Sequence, residues 1–241
     1  MIDTLLNPSF FWRAATHLGS WALLLPLFAG QFVALWSSQP AAARRWLVAL
    51  GLTVSATAVS KCLFWGWGIG SAALDFTGIS GHAMLATAIL PVFLCVCMPA
   101  HAGRLRHWGT GLGLLLALGV GLSRVVLDAH SVSEVVAGWL AGLAVVAVTL
   151  RALDGAVRPA RLAGLCTLAV LLVLGTATAR KVSTHHLEIR LALKLSGRST
   201  PFLREQLQAP EQMSRLGGVV PAACPAPCRP PAARPGTATR S

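Results

Sequence analysis

The sequence predicts an all-α fold, a polytopic membrane helical bundle with about six transmembrane helices. Of its 241 residues, 55% are hydrophobic and only 12% are charged, a composition that excludes an ordinary water-soluble domain. Apolar runs long enough to cross a bilayer alternate with short connectors that hold most of the charge. We therefore expect a set of helices in lipid, joined at the two membrane faces.

Each predicted span is an apolar run bounded by charged or turn-forming residues. No convincing small-residue cleavage site follows the first run, so we interpret it as a retained helix and not as a signal peptide. The six spans cover about residues 18–36, 46–65, 83–99, 109–122, 132–150 and 162–179.

The last part of the chain divides in two. Residues from about 183 to 204 have the apolar spacing of an amphipathic helix, which would lie on the membrane surface. Beyond about residue 209 the chain is dominated by Pro, Ala, Gly and Arg, and it lacks the large apolar side chains needed to offset the entropy of ordering. We therefore predict one membrane domain over residues 1–208 and a disordered tail over residues 209–241.

The formal net charge of +12 would indicate nucleic acid as a partner if the chain were soluble. Here the Lys and Arg residues lie in short connectors and in the tail, where they would adjoin anionic lipid head groups. We therefore expect membrane lipids as partners and no nucleic acid. The six Cys do not form a metal-binding pattern, and the sequence indicates no metal site.

Polar residues fall at one end of four predicted helices. Lys61 lies at the exit of the second helix, Ser80 to His82 at the entrance of the third, Arg124 at the exit of the fourth and His130 at the entrance of the fifth. Consecutive spans bring all of these positions to one membrane face. The connectors of the other face hold most of the remaining cations, namely Arg44, Arg45, Arg104, Arg106, Arg151, Arg158 and Arg161. By the positive-inside rule, the polar face points away from the cytoplasm.

His130 and Glu134 are spaced by four, so on a helix both side chains project from the same face, one turn apart. A carboxylate in that position can accept a hydrogen bond from one imidazole nitrogen and leave the other nitrogen as a nucleophile. The alternative is a capping box, because Ser131 followed three residues later by Glu134 is a helix-start signature. The sequence alone leaves both interpretations open.

Ser80, Gly81 and His82 open a predicted helix. Ser is a normal N-cap, but the free N–H groups of a helix start also bind anions, and Gly lets a phosphate approach closely. Lys61 and Arg124 are either side chains that anchor helix ends to head groups or cations of the same anion site. Two cations, a helix N-terminus and two histidines on one face together indicate an oxyanion clamp with an acid and a nucleophile.

These residues resemble a signature of the type 2 phosphatidic acid phosphatase superfamily, which includes acid phosphatases and vanadium haloperoxidases. The third part of that signature is Ser-Arg, five residues, His, three residues and Asp. It matches at Ser123, Arg124, His130 and Glu134, with Glu in place of Asp. The second part is Pro-Ser-Gly-His, which matches over residues 79–82 with Ile in place of Pro. Two motifs in this order are more specific than either one alone.

The first part of the signature is a Lys followed after six residues by Arg-Pro. Lys61 matches the Lys, but Gly68 and Ile69 stand at the Arg-Pro positions. One phosphate-binding cation expected from the family is therefore missing. Such a donor contributes about 3–4 kcal/mol to a transition-state clamp.

The resemblance implies a metal-independent lipid phosphate phosphatase with no cofactor, in the bacterial inner membrane, with its site facing the periplasm. It implies that His130 attacks phosphorus to give a phosphohistidine, that Glu134 orients the imidazole and that His82 acts as acid and then base. The phosphate-binding residues that it implies are Lys61, Ser80, Gly81, Ser123 and Arg124. Lipid phosphates and lipid diphosphates are both consistent substrates.

Two other functions are compatible with the sequence. A catalytically silent relative would bind phosphorylated lipid head groups without turning them over, which the missing cation at Gly68 favours. A transporter or proton pathway would also place ionisable residues within the membrane.

Overall fold

The computed structural model describes residues 8–98, 103–153 and 184–208. Within these ranges the chain forms no β-strand, and the only β-type pairing is an isolated bridge between Ser71 and Phe76. The helices are α1 (Pro8–Leu18), α2 (Trp21–Ser38), α3 (Pro40–Trp67), α4 (Gly81–Cys97), α5 (Gly103–Val126), α6 (Val132–Leu150) and α7 (Thr184–Ser196). The predicted all-α class is confirmed.

Among the described residues, four helical stretches are long and apolar enough to cross a membrane, namely Phe11–Ser38, α3, α5 and α6. The fifth apolar helix, α4, is shorter, with 17 residues. Large apolar side chains such as Leu52, Leu115 and Leu140 are exposed along these helices, as expected for surfaces that lipid covers. The predicted membrane bundle is therefore confirmed. The predicted sixth span, residues 162–179, and the tail over residues 209–241 lie outside the described residues.

α3 and α5 extend beyond their predicted spans. α3 begins at Pro40, because proline is preorganised for the first helical position and a run of alanines follows it. α5 begins at Gly103 and ends at Val126, so the basic residues near its ends belong to the helix and not to connectors. Apolar patterning marks the part of a helix that lipid covers, whereas backbone hydrogen bonding continues past it.

α4 lies at the centre of the bundle and packs against both α5 and α6. It buries an unbroken run of side chains from Ala83 to Val92. Glycines let the neighbouring helices approach its backbone, and a Cβ at Gly138 of α6 would lie only 2.7 Å from the Ser80 carbonyl oxygen. Lipid supplies no hydrophobic drive between helices, so close packing at small residues stabilises such contacts. The start of α4 is therefore held against the start of α6.

α7 forms within the segment that we predicted to be an amphipathic helix. Ala192 is fully buried, and its carbonyl oxygen lies 3.2 Å from the position of a Cβ at Gly66 of α3. Leu187, Leu191 and Leu195 are spaced by four and form an exposed stripe. The helix therefore packs on α3 through its small residues and leaves its leucines free for a membrane surface, a location that stays a prediction.

Candidate active site

The site lies where the end of α3, the start of α4, the end of α5 and the start of α6 meet. A Cβ at Gly81 would lie 3.8 Å from Lys61 Nζ, so the ammonium group of α3 sits beside the N-terminus of α4. The Ser80 N–H donates to the Glu134 carbonyl oxygen at 3.0 Å, which joins α4 to α6. The structure thus brings these helix ends together, as the order of spans predicts.

The loop between α3 and α4 ends in an extended segment, residues 77–80, that lies between α3 and α6. Its backbone N–H groups donate to groups of these two helices: Thr77 to Glu134 Oε1 (2.8 Å), Ile79 to Ser60 Oγ (3.1 Å) and Ser80 to the Glu134 carbonyl (3.0 Å). At Gly78, where φ is 154°, a Cβ would lie 2.9 Å from Lys61 Cγ. The loop passes too close to the lysine for a side chain there, and it is fixed on both sides before α4 begins.

Ser80 occupies the N-cap position of α4, but its hydroxyl makes no capping hydrogen bond. The side chain is fully buried, and its Oγ has no hydrogen-bond partner among the described residues. A buried hydroxyl without a partner is costly. The capping interpretation of Ser80 is therefore not realised by the side chain, and the hydroxyl is free to bind a ligand at the helix N-terminus.

Arg124 lies in the last turn of α5. Its Nη1 donates to Thr16 Oγ1 of α1 at 3.0 Å, while its Nε is buried and has no partner among the described residues. Its carbonyl oxygen accepts from the N–H groups of Ala129 (2.9 Å) and His130 (3.2 Å), which folds the motif spacer back onto the end of α5. Asp128 takes the left-handed conformation in this turn, with φ of 51°. The turn therefore holds the backbone of His130 against the end of α5.

His130 and Glu134 form a close pair, with 2.6 Å between Nδ1 and Oε2. The Glu134 side chain is fully buried, and the His130 side chain is 17% exposed. An ionised carboxylate accepts only, so the imidazole donates from Nδ1 and keeps a lone pair on Nε2. The hydrogen bond that we predicted between the carboxylate and the imidazole is present, and it leaves the lone pair of Nε2 free of Glu134.

The same carboxylate also caps α6. The Glu134 N–H donates to Ser131 Oγ at 3.4 Å, and the Ser131 N–H donates to Glu134 Oε2 at 3.3 Å, which completes a capping box. The capping box and the hydrogen bond to the imidazole are therefore both present, because one oxygen of Glu134 serves the helix start and the imidazole together, and the nucleophilic role of His130 stays a prediction.

His82 lies on the first turn of α4, within electrostatic range of Lys61, Arg124 and His130. A Cβ at Gly19, between α1 and α2, would lie 3.5 Å from the Cβ and from the Cδ2 of His82. The corner between α1 and α2 thus forms a wall beside this imidazole. Two histidines and two cations share one site, as predicted.

Ser123 is placed differently from the other predicted phosphate-binding residues. Its side chain is fully buried, and its hydroxyl donates to the Val120 carbonyl oxygen of its own helix at 2.6 Å. The hydroxyl is therefore engaged within α5, and phosphate binding by Ser123 stays a prediction.

Gly68, which replaces the expected arginine, ends α3 as its C-cap with φ of 70°. A Cβ at this position would lie 3.1 Å from the ring of Phe202. Both the left-handed backbone and the packed ring disfavour a side chain here. An arginine at position 68 would therefore be strained by its backbone and would displace the Phe202 ring.

The sequence analysis missed four contacts of the predicted site residues. Their partners come from segments without any motif, so no sequence signal marked them. These contacts are Thr16 with Arg124, Thr77 with Glu134, Glu188 with Lys61 (3.4 Å) and Arg204 with Glu134 (2.6 Å). Two of the four partners lie in the segment over residues 184–208.

A surface cavity of about 550 Å³ opens beside His130. Polar groups of the α3–α4 loop, of the start of α6 and of the C-terminal segment contribute to its lining, among them Asp75, Asp128, Ser133 and Arg204. Lys61, Ser80 and Arg124 are not among the residues that line it.

Comparison with known proteins identifies the family. Residues 14–158 match the PAP2 superfamily. An uncharacterized 22.5 kDa protein in the cps region of Klebsiella pneumoniae is 38% identical over 135 residues, which make up 55% of this chain and 65% of that relative. The chain therefore spans less than two thirds of that relative's length. No solved structure matches the chain.

The matched region includes α2 to α6 and every residue that the sequence analysis assigned to the site, from Lys61 to Glu134. Because the match covers more than half of the chain and the helix ends converge on those residues, the chain belongs to the PAP2 superfamily.

Proposed function

We propose that the protein is an integral-membrane phosphatase that hydrolyses a lipid phosphate or diphosphate monoester through a phosphohistidine. Membership of the superfamily supports phosphatase-type activity. The observation that carries the proposal is the 2.6 Å contact of His130 Nδ1 with Glu134, made beside two buried polar atoms that have no partner among the described residues, Ser80 Oγ and Arg124 Nε. An oriented nucleophile next to unfilled donors fits an oxyanion as ligand.

In the first step, His130 Nε2 attacks the phosphorus while the bond from phosphorus to the leaving oxygen breaks. His82 gives that oxygen a proton, so a monoester releases a neutral alcohol, and a diphosphate releases a lipid phosphate with one negative charge fewer. Lys61, Arg124, the Ser80 hydroxyl and the Gly81 N–H hold the three equatorial oxygens as charge spreads over them.

In the second step, His82 takes a proton from water as the water oxygen attacks the phosphorus. The phosphorus–nitrogen bond breaks, and His130 regains its lone pair on Nε2. Glu134 holds the ring in one tautomer throughout, because its hydrogen bond keeps the proton on Nδ1.

A lipid substrate is proposed because the site lies at the ends of apolar helices, at the depth of the head groups. The described cations Arg44, Arg45, Arg104, Arg106 and Arg151 lie at or beside the opposite helix ends. By the positive-inside rule those ends are cytoplasmic, which supports a site on the periplasmic face of a bacterial inner membrane.

The test is phosphate release from a panel of lipid phosphates by purified protein in detergent with EDTA. His130→Ala should reduce the rate by a factor of about 10³ or more, since the nucleophile is lost. His107→Ala is the matched control, because His107 lies at the opposite end of α5, where its ring bonds the Gly103 carbonyl. Equal rates in wild type and His130→Ala would refute the mechanism.

A lipid-binding protein without turnover is the second candidate. It is favoured by Gly68 and by the carboxylate of Glu188, which lies 3.4 Å from Lys61 Nζ. That alternative predicts saturable binding of phosphorylated lipid, no phosphate release and no labelled histidine after incubation with ³²P-labelled lipid.

A further inference from the structure

The segment that follows α7 folds back over the end of α3. The Phe202 N–H donates to the Trp65 carbonyl at 3.0 Å, and the Phe202 ring lies over Gly68. The guanidinium group of Arg198 stacks on the Phe202 ring, with its central carbon 4.0 Å from the ring centroid. Residues 197–208 are thus anchored beside the site, although they lie beyond the region that matches the superfamily.

Two residues after this anchor, Arg204 reaches the reactive pair. Its Nη2 donates to Glu134 Oε1 at 2.6 Å, and its Nη1 donates to Asp75 Oδ2 at 3.0 Å. The other oxygen of Asp75 accepts from Gln208 Nε2 at 2.6 Å. Asp75 therefore holds Arg204 in place on the side of the carboxylate that is remote from His130.

The two oxygens of Glu134 have separate partners. Oε2 accepts from His130 and from the Ser131 N–H, whereas Oε1 accepts from Thr77 and from Arg204. A carboxylate bonded on one oxygen can rotate about its terminal torsion, which is broad. Bonds to both oxygens fix the plane of the group, and with it the direction of the imidazole.

A fully buried carboxylate also needs a cation, because removing it from water without a charge partner is strongly unfavourable. Lys61 and Arg124 lie on the phosphate side, and Gly68 supplies no charge. Phe202, whose ring packs on Gly68, and Arg204 belong to the same segment, residues 197–208. The C-terminal segment thus supplies the buried carboxylate with a cation, Arg204, which contacts Glu134 and does not take over the phosphate-binding role expected at position 68.

We propose that Arg204 is a positioning residue of the active site, supplied in cis by residues 197–208, which fixes Glu134 and so keeps His130 aligned for attack. The inference rests on the proposed role of His130 as nucleophile. Each η nitrogen of Arg204 donates to a carboxylate, so in this proposal Arg204 acts through Glu134 and not by direct contact with the phosphate.

Steady-state kinetics of Arg204→Ala, Arg204→Lys and Arg190→Ala test this role. Arg190 is exposed on α7, so its removal controls for the loss of one positive charge from the same segment. In Arg204→Ala we expect kcat to fall by about 10- to 100-fold with KM changed by less than about twofold, because a charge-assisted hydrogen bond to the orienting carboxylate is lost. Arg204→Lys should recover part of kcat, and Arg190→Ala should match wild type.

An unchanged kcat in Arg204→Ala would overturn the inference, and so would a rise in KM alone, which would mean direct substrate binding. If Arg204→Ala does not fold, Arg204→Lys carries the same test through its kcat at constant KM. If wild type releases no phosphate, the proposed function fails. Hydrogen exchange then tests whether the contact between Arg204 and Glu134 holds the C-terminal segment in place. Residues 197–208 should exchange faster in Glu134→Gln than in wild type, and equal exchange would overturn the inference independently of activity.

Discussion

Gly68 and Gly197 offer a matched test of the contact that holds the C-terminal segment on α3. Both have φ of 70°, where a Cβ costs about 1–2 kcal/mol. Their surroundings differ, because a Cβ at Gly68 would lie 3.1 Å from the Phe202 ring, whereas a Cβ at Gly197 would meet nothing within 4 Å. Gly197→Ala therefore measures the backbone cost alone, and Gly68→Ala adds the displacement of the ring.

We expect Gly197→Ala to lower the free energy of unfolding by about 1–2 kcal/mol, and Gly68→Ala to lower it by about 1 kcal/mol more, the low end of overpacking costs. Activity should separate the two variants further. The ring that must move lies two residues before Arg204, so kcat should fall in Gly68→Ala and stay near wild type in Gly197→Ala.

The measurements are unfolding in detergent followed by tryptophan fluorescence, and phosphate release at saturating lipid. In a Phe202→Ala background the extra cost of Gly68→Ala should disappear, since the ring is gone. Equal destabilisation by the two glycine substitutions in the native background would refute the packing of Phe202 on Gly68. Equal kcat values would refute its link to the reactive pair.

Three further substitutions have defined outcomes. Glu134→Asp restores the superfamily residue but shortens the carboxylate, so it should lose one of its two sets of partners and lower kcat by about tenfold, measured as phosphate release. Ser80→Ala removes a buried hydroxyl that has no partner among the described residues, so the Tm should stay constant or rise while kcat/KM falls by about 2- to 10-fold. Glu188→Gln frees Lys61 from a partly exposed ion pair and should lower KM by up to about fivefold, whereas Glu205→Gln on the exposed surface should not.

Most of the bundle and the central residues of the site could be predicted from the sequence. Membrane-length apolar runs leave few choices, and alternating spans must bring the exit of one helix beside the entrance of the next. This constraint is what joins Lys61 to Gly81, and the spacing of four is what joins His130 to Glu134. Helix ends were less predictable, because α3 and α5 continue into their basic flanks.

The remaining contacts could not be predicted because they join distant parts of the chain through single side chains. Arg204 lies in a segment whose spacing indicates only an amphipathic helix, and nothing in that spacing points to Glu134. Thr16 and Thr77 are ordinary polar residues near helix ends. The hydrogen bond from the Ser123 hydroxyl to its own helix could not be predicted either, because a motif match specifies a residue type and not its rotamer.

The double use of Glu134 has a consequence for how the protein loses activity. First turns of helices open more readily than helix interiors, and such local opening needs far less free energy than global unfolding. In α6 the first turn and the imidazole of His130 share one carboxylate, so fraying of that turn also releases the imidazole. On heating, catalysis should therefore be lost while the membrane helices are still intact. The difference between the midpoint temperature of inactivation and that of helix unfolding measures how firmly Glu134 holds the first turn of α6 and the imidazole.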